Sequence, residues 1–252
     1  MSVYRLVVAY DGGPFHGFAR QPDLETVQGT IETALSKLFG DEIKTSAAGR
    51  TDAGVHALGQ VMSFVSDSVK DVADLQRRLN GMCGPAIAIL DADIAPDGFD
   101  ARFSAVARSY EYGIFTRSVH DPFGRHTTWH MTDDVDVQLM GKAAQALLGE
   151  HSFESFGRVE SGQNPVRRIE SIDIEQDGDL ISIKITANSF IQQMVRSIVG
   201  TLVKVGTGDI HPDDMERILH ARDRAAAGPV APPHGLFLVE VSYPEELAKT
   251  ED

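Results

Sequence analysis

Hydrophobic and polar positions recur at two periods along this chain, and the switches between them mark its elements. Residues 3–10 are rich in β-branched and aromatic side chains and predict a strand. Residues 11–23 crowd Gly and Pro together and predict a loop. Val27, Ile31, Leu35 and Leu38 follow at helical spacing, with Thr26 placed to cap the helix. Residues 60–65 predict a strand, 75–79 a helix, 87–90 a short buried strand and 106–115 an extended segment. Residues 135–148 read as a helix with Leu139, Ala143 and Leu147 in one row. Ile181, Ile183 and Ile185 alternate with Ser182, Lys184 and Thr186, the pattern of a half-buried strand. Asp177-Gly178 predicts a hairpin turn that pairs it with 169–175. Residues 190–205 carry two apolar stripes and predict a largely buried helix, with Ser189 and Gln192 as a capping box. Residues 236–241 close the pattern as a strand, and the tail after Pro244 reads as solvated.

Strands next to helices and hairpins recur in both halves. This predicts an α+β fold of two α/β subdomains with mostly antiparallel sheets, residues 1–103 and 104–252, packed through those sheets. Composition narrows the class. The 252 residues are 42% hydrophobic and 24% charged, which is globular. The formal net charge of -14 argues against a generic nucleic-acid binder, whose footprint is basic. Net charge is only a sum, so a local basic groove stays compatible with it. The lone Cys83 excludes an internal disulfide and a thiolate zinc cluster, and fits a cytoplasmic protein. No apolar run approaches the ~18–20 residues that span a bilayer, and residues 1–13 lack the marks of a signal peptide.

Three segments have the residue types for chemistry. Gly49-Arg50-Thr51-Asp52-Ala53-Gly54-Val55-His56-Ala57 is a polar, Gly-flanked loop leading into an apolar strand. Asp52 is either a nucleophile or base held ready, or a solvated turn residue. On the helix over 190–205, Arg196 sits among apolar stripes. It either meets an acid or anion, or reaches along its stem to water. On an extended 106–115, Arg108, Tyr110 and Tyr112 share one face. That face suits RNA, by stacking and phosphate binding, or is ordinary sheet. His120, His126 and His130, with Asp121 nearby, match no usual zinc spacing. Asp91 and Asp93 have no phosphate-cradling glycine loop, and no dinucleotide fingerprint is present. Arg158, Arg167 and Arg168 form a small basic cluster that fits either phosphate or a plain loop surface.

Together these segments resemble the TruA family of tRNA pseudouridine synthases, in order and along nearly the whole chain. The resemblance rests on Tyr10-Asp11-Gly12 through Gly17-Phe18, Thr26-Val27-Gln28-Gly29, and Gly49 to Ala57 with Gln60-Val61. It continues through Ala101-Arg102-Phe103-Ser104-Ala105, Arg108-Ser109-Tyr110-Glu111-Tyr112, and Leu147 to Phe153 with Ser155-Phe156. Phe190, Met194-Val195-Arg196, Ile198-Val199-Gly200, Ala227-Gly228, Ala231-Pro232 and Gly235-Leu236 to Tyr243 complete it. Ala19-Arg20 and Ile191-Gln192-Gln193 depart from the usual pattern.

The resemblance implies a pseudouridine-synthase fold with two related subdomains around a central cleft. It implies isomerisation of uridine to pseudouridine at positions 38, 39 and 40 of the tRNA anticodon stem-loop, with no metal and no cofactor. Asp52 would be catalytic, Tyr110 would stack on the uracil, and Arg196 would favour the ionised Asp52. Arg50 would fill the gap left by the displaced nucleotide, while Phe190 and Leu236 would line the site. A cytoplasmic homodimer gripping tRNA, without membrane attachment, is the expected assembly. The alternatives are a catalytically silent tRNA-binding module and a metal-dependent phosphohydrolase built on His120, Asp121, His126 and His130. Residues 1–130 carry 12 basic and 16 acidic residues, and residues 131–252 carry 11 and 21. Arg outnumbers Lys 16 to 7, which suits bidentate phosphate contacts and predicts a narrow positive groove on an acidic body.

Overall fold

The computed structural model describes residues 1–247. It divides into two compact units, one of residues 1–108 with 238–247 and the other of residues 109–237. The sequence reading takes each half as one contiguous stretch, 1–103 and 104–252. In the structure the last strand counts with the first half, a return that no local pattern announces.

In the first unit, β1 (Ser2–Tyr10) runs antiparallel to both β3 (His56–Ser66) and β4 (Ile87–Ile94). A two-residue β2 (Ser46–Ala47) joins the outer part of β3. β10 (Leu236–Ser242) lies beside β3, giving the order β4-β1-β3-β10. Two helices accompany this sheet, α1 (Val27–Phe39) and α2 (Val72–Cys83). The predicted cap of α1 is present: Thr26 Oγ1 accepts from the Gly29 amide at 3.2 Å. Ile31 and Leu35 of α1 and Leu75 and Leu79 of α2 are buried, as the helical period requires. Phe39 of α1 approaches Phe64 of β3, which stacks on Tyr4 of β1.

The tail from 245 is not simply solvated. Glu245–Leu247 forms a 3-10 turn, and the Leu247 carbonyl accepts from Arg5 at 3.0 Å. Leu247 also packs on a cluster containing Val61, Phe99 and Ala101. The remainder of the predicted tail lies outside the described residues.

The second unit contains β5 (Ala107–Thr116), β7 (Gly149–Ser152), β8 (Val166–Asp177) and β9 (Leu180–Ala187), in the order β5-β9-β8-β7. β6 (Trp129–Met131) pairs parallel with β5. Ile181, Ile183 and Ile185 are fully buried along β9, so the alternation reads correctly. The hairpin turn is displaced by one residue. Asp177 pairs with Leu180, so Gly178 and Asp179 make the turn, with Gly178 at φ 57.

α3 (Val137–Ala144) continues into a 3-10 turn that buries Leu147. α5 is Asp214–His220. The buried helix α4 is Met194–Gly206, not 190–205. Its first residue follows Gln193 at φ 64, and no side chain caps it, so the Ser189–Gln192 capping box does not form. A left-handed residue interrupts the backbone before α4 and leaves Phe190 outside the helix.

Candidate active site

The Asp52 loop is built from the backbone of the first unit. The Asp52 carbonyl accepts from the Val55 amide at 3.1 Å, closing a turn over Ala53 and Gly54. Gly54 sits at φ 78, the left-handed value that a type II turn demands of its third residue. Asp52 therefore begins a tight turn, where its half-buried side chain is displayed while its backbone is fixed.

The surroundings hold that turn. Tyr10 Oη and Thr51 Oγ1 are 2.8 Å apart in a buried hydrogen bond. Burial pushes the Tyr10 hydroxyl up to about 12, so it remains protonated well above neutral pH. Gln60, fully buried on β3, donates to the Gly49 carbonyl at 2.8 Å and accepts from the Gly49 amide at 3.3 Å. His56 Nδ1 lies 3.1 Å from the Gly12 amide and 3.2 Å from Asp11 Oδ1, tying the first loop to the start of β3. A Cβ on Gly12 would lie 2.0 Å from the Val55 carbonyl oxygen, so only glycine permits this approach. The Phe18 amide reaches the Thr51 carbonyl at 3.1 Å, with Phe18 itself buried. The predicted loop over 11–23 is thus irregular, but it is packed against the Asp52 loop.

Tyr110 and Arg196 belong to the second unit. Tyr110 is 7% exposed on β5, and its ring meets Phe190 edge-on with centroids 5.1 Å apart. Arg196 is half-buried on the first turns of α4. Its Nε donates to the Ala231 carbonyl at 2.7 Å, and its own carbonyl accepts from the Ala231 amide at 3.0 Å. The segment that supplies Ala231 lies close on α4 because Gly200 has no side chain. A Cβ there would fall 1.9 Å from the Pro229 carbonyl oxygen. The Gly228 amide adds a bond to Thr201 Oγ1 at 2.9 Å. Glycine spacing on α4 thus fixes the carbonyl that orients Arg196. Leu236 is buried within the stretch after this segment.

Several sequence candidates make contacts within the protein. Arg108 is buried, and its guanidinium binds the carbonyls of Ala48, Arg102 and Ala105 at 3.1, 2.8 and 3.0 Å. It clamps backbone, which favours the ordinary-sheet alternative over phosphate binding for this residue. Tyr112 is fully buried with its hydroxyl on the Pro232 carbonyl at 2.8 Å, so its ring is not a stacking face. Arg20 pairs with Glu32 at 3.1 Å and Arg168 with Glu150 at 3.3 Å. Arg167 Nη1 bonds the carbonyls of Asn164 and Val166, and the Arg158 backbone pairs with Gln192. Arg5 holds Asp93, which places that carboxylate in an ion pair. Arg50 is exposed and its side chain makes no hydrogen bond or ion pair among the described residues.

The histidine cluster does not assemble a metal site. His120 and His130 rings lie 4.6 Å apart, but His130 Nε2 is 2.7 Å from the Arg117 carbonyl. Asp121 is spent accepting from the amides of Phe123 and Gly124, both at 2.9 Å. Among the described residues no group of three or more His, Cys, Asp or Glu side chains is arranged for a metal ion. Among the described residues, too, no helix is long and apolar enough to cross a membrane.

Sequence reasoning missed the residues that brace the Asp52 turn. Tyr10 and Gln60 lie 41 and 11 positions from their partners, beyond any local pattern. The one legible signal was a glutamine opening an apolar strand run.

Comparison with known proteins carries the same pattern. A family described as tRNA pseudouridine synthase matches residues 6–104 and 143–244. A tRNA pseudouridine synthase A of Agrobacterium fabrum is 41% identical over 264 residues, covering 100% of this chain and 99% of that protein. A protein of the same name from Afipia carboxidovorans is 42% identical, covering 96% of this chain and 100% of its own. One from Rhizobium leguminosarum bv. trifolii is 41% identical, covering 98% and 94%. The matched stretches contain the Asp52 turn, its braces and Arg196 alike, and the chain belongs to the tRNA pseudouridine synthase family, isomerases that convert uridine to pseudouridine.

Proposed function

We propose that this chain isomerises uridine at positions 38, 39 and 40 of the tRNA anticodon stem-loop, acting in the cytoplasm as a homodimer. The reaction breaks the N1–C1′ bond, turns the uracil and forms a C5–C1′ bond. It consumes no redox equivalent and no net water, so it asks for an ionised carboxylate and a sheltered base rather than a cofactor. Asp52 is assigned that carboxylate, as nucleophile or base. Attack at C1′, attack at C6 and removal of the C2′ proton all begin from the same ionised group. Arg196 supplies the cation that favours ionisation. Tyr110 stacks on the uracil, and Arg50 takes the place of the nucleotide that flips out.

The observation that carries the reading is the Asp52 turn, a single half-buried carboxylate on a backbone braced by Tyr10, Gln60 and Gly12. Bracing of this kind is what positioning a reactive group requires. Support for the other roles is the packed ring of Tyr110, the oriented Nε of Arg196 and the side chain of Arg50, unengaged among the described residues. Unmodified tRNA incubated with the protein and mapped by carbodiimide adducts should show pseudouridine at 38–40. Adducts at other positions alone would overturn the site assignment.

A further inference from the structure

Residues 100–104 form a turn pinned from several sides. Asp100 Oδ1 accepts from the amides of Arg102 and Phe103 at 2.8 and 2.9 Å, and from Ser46 Oγ at 3.0 Å. The Ser104 amide bonds the Asp100 carbonyl at 3.0 Å. The Tyr243 hydroxyl holds the Ala101 carbonyl at 2.8 Å, and Ser63 Oγ takes the Ala101 amide at 3.0 Å. Yet Phe103, on this rigid turn, is 80% exposed. A phenyl ring left in water forgoes a large favourable burial.

Arg102 stands 5.3 Å over the ring of Phe103. Its side chain is exposed and makes no ion pair among the described residues, in a chain with 37 Asp and Glu. The turn is also tied to the Asp52 loop. Arg108 donates Nη2 to the Arg102 carbonyl at 2.8 Å and Nε to the Ala48 carbonyl at 3.1 Å. One buried guanidinium therefore spans from the turn to the residue just before Gly49.

We propose that Arg102 and Phe103 form a stacking platform for an unpaired base of the RNA, other than the base being isomerised. This rests on the proposed action on tRNA. A flat ring with a guanidinium over it, both exposed and preorganised, matches how single-stranded bases and their phosphates are held. One ring and one cation are far less than the roughly 800 Å² per partner that a stable interface between copies needs.

The test compares Phe103→Ala, Phe103→Leu and Phe103→Trp in the full chain, binding an unmodified tRNA transcript. The Ala and Leu variants should weaken binding roughly tenfold to a hundredfold, the range expected for one lost base stack. Trp should restore it to within a few fold, and all three should melt like the parent because the ring is exposed. Transcripts carrying 2-aminopurine at one unpaired position at a time add a direct readout. One position should be quenched by the parent and by Phe103→Trp, but not by Phe103→Leu. Binding and quenching by Phe103→Leu equal to an active parent would overturn the platform alone. A variant that loses self-association while binding tRNA normally would overturn it in favour of a copy interface. A parent that neither binds nor converts tRNA would instead overturn the proposed function beneath it.

Discussion

A carboxylate does useful chemistry only where its position is determined, and at the residue scale Asp52 owes its position to side chains far away in sequence. Tyr10→Phe removes the hydroxyl that meets Thr51 Oγ1 and leaves that oxygen short of a buried partner. The expected cost is about 1–3 kcal/mol in unfolding free energy. Turnover should fall more than tRNA affinity, because the lost contact is to the loop and not to RNA. Denaturant melts and single-turnover rates indistinguishable from the parent would remove Tyr10 from the bracing. Tyr110→Phe keeps the ring edge-on against Phe190 and should keep tRNA affinity within a few fold, whereas Tyr110→Ala should lose it. At this scale the sequence was informative where a residue declares itself locally. Asp52 stood out between Gly49 and Gly54. Arg108 did not declare its role, since nothing local marks three carbonyls that converge only after folding.

At the scale of elements, periodic segments were legible and aperiodic ones were not. The buried stripe of α1 and the alternation of β9 follow directly from side-chain period. β2, β6 and β7 span two to four residues, too short for any period to show. The start of α4 was misplaced because Gln193 adopts a left-handed backbone that its residue type does not advertise. Close approach of elements is equally hidden until glycines are placed. Gly12→Ala would drive a methyl to 2.0 Å from the Val55 carbonyl oxygen and force the Asp52 loop away. The variant should lose roughly 1–3 kcal/mol of stability, as overpacked sites do. It should also lose most activity, a joint loss that melting and a uridine-conversion assay would register. Full activity would mean that the loop tolerates displacement.

For the whole molecule, the charge of -14 and the basic positions now separate. Arg5, Arg20, Arg108 and Arg168 are engaged within the protein, while Arg50 and Arg102 are exposed and unpaired among the described residues. Binding to tRNA should therefore weaken with salt, and Arg50→Ala should lower the slope of log affinity against log salt by about one. An unchanged slope would place Arg50 away from phosphate. Alkali tests the buried phenols together. Burial raises Tyr10 to about 12 and also raises Tyr112 and Tyr243, while Cys83 rises to about 11. The folded state then keeps protons that the unfolded chain releases, so stability is full below pH 9 and falls as pH climbs toward 12. Tyr10→Phe should flatten part of that fall. The grouping of the C-terminal strand with the first unit belongs to this scale too, and no residue within β10 predicted it.

The most direct measurement is hydrogen release from uracil C5, because forming a C5–C1′ bond requires that atom to leave. Unmodified tRNA tritiated at C5 should release label to water with the parent protein, and Asp52→Ala should release none while binding tRNA within a few fold of the parent. Absence of release by the parent, or release by Asp52→Ala at a rate near the parent's, would contradict the assignment of pseudouridine formation to Asp52.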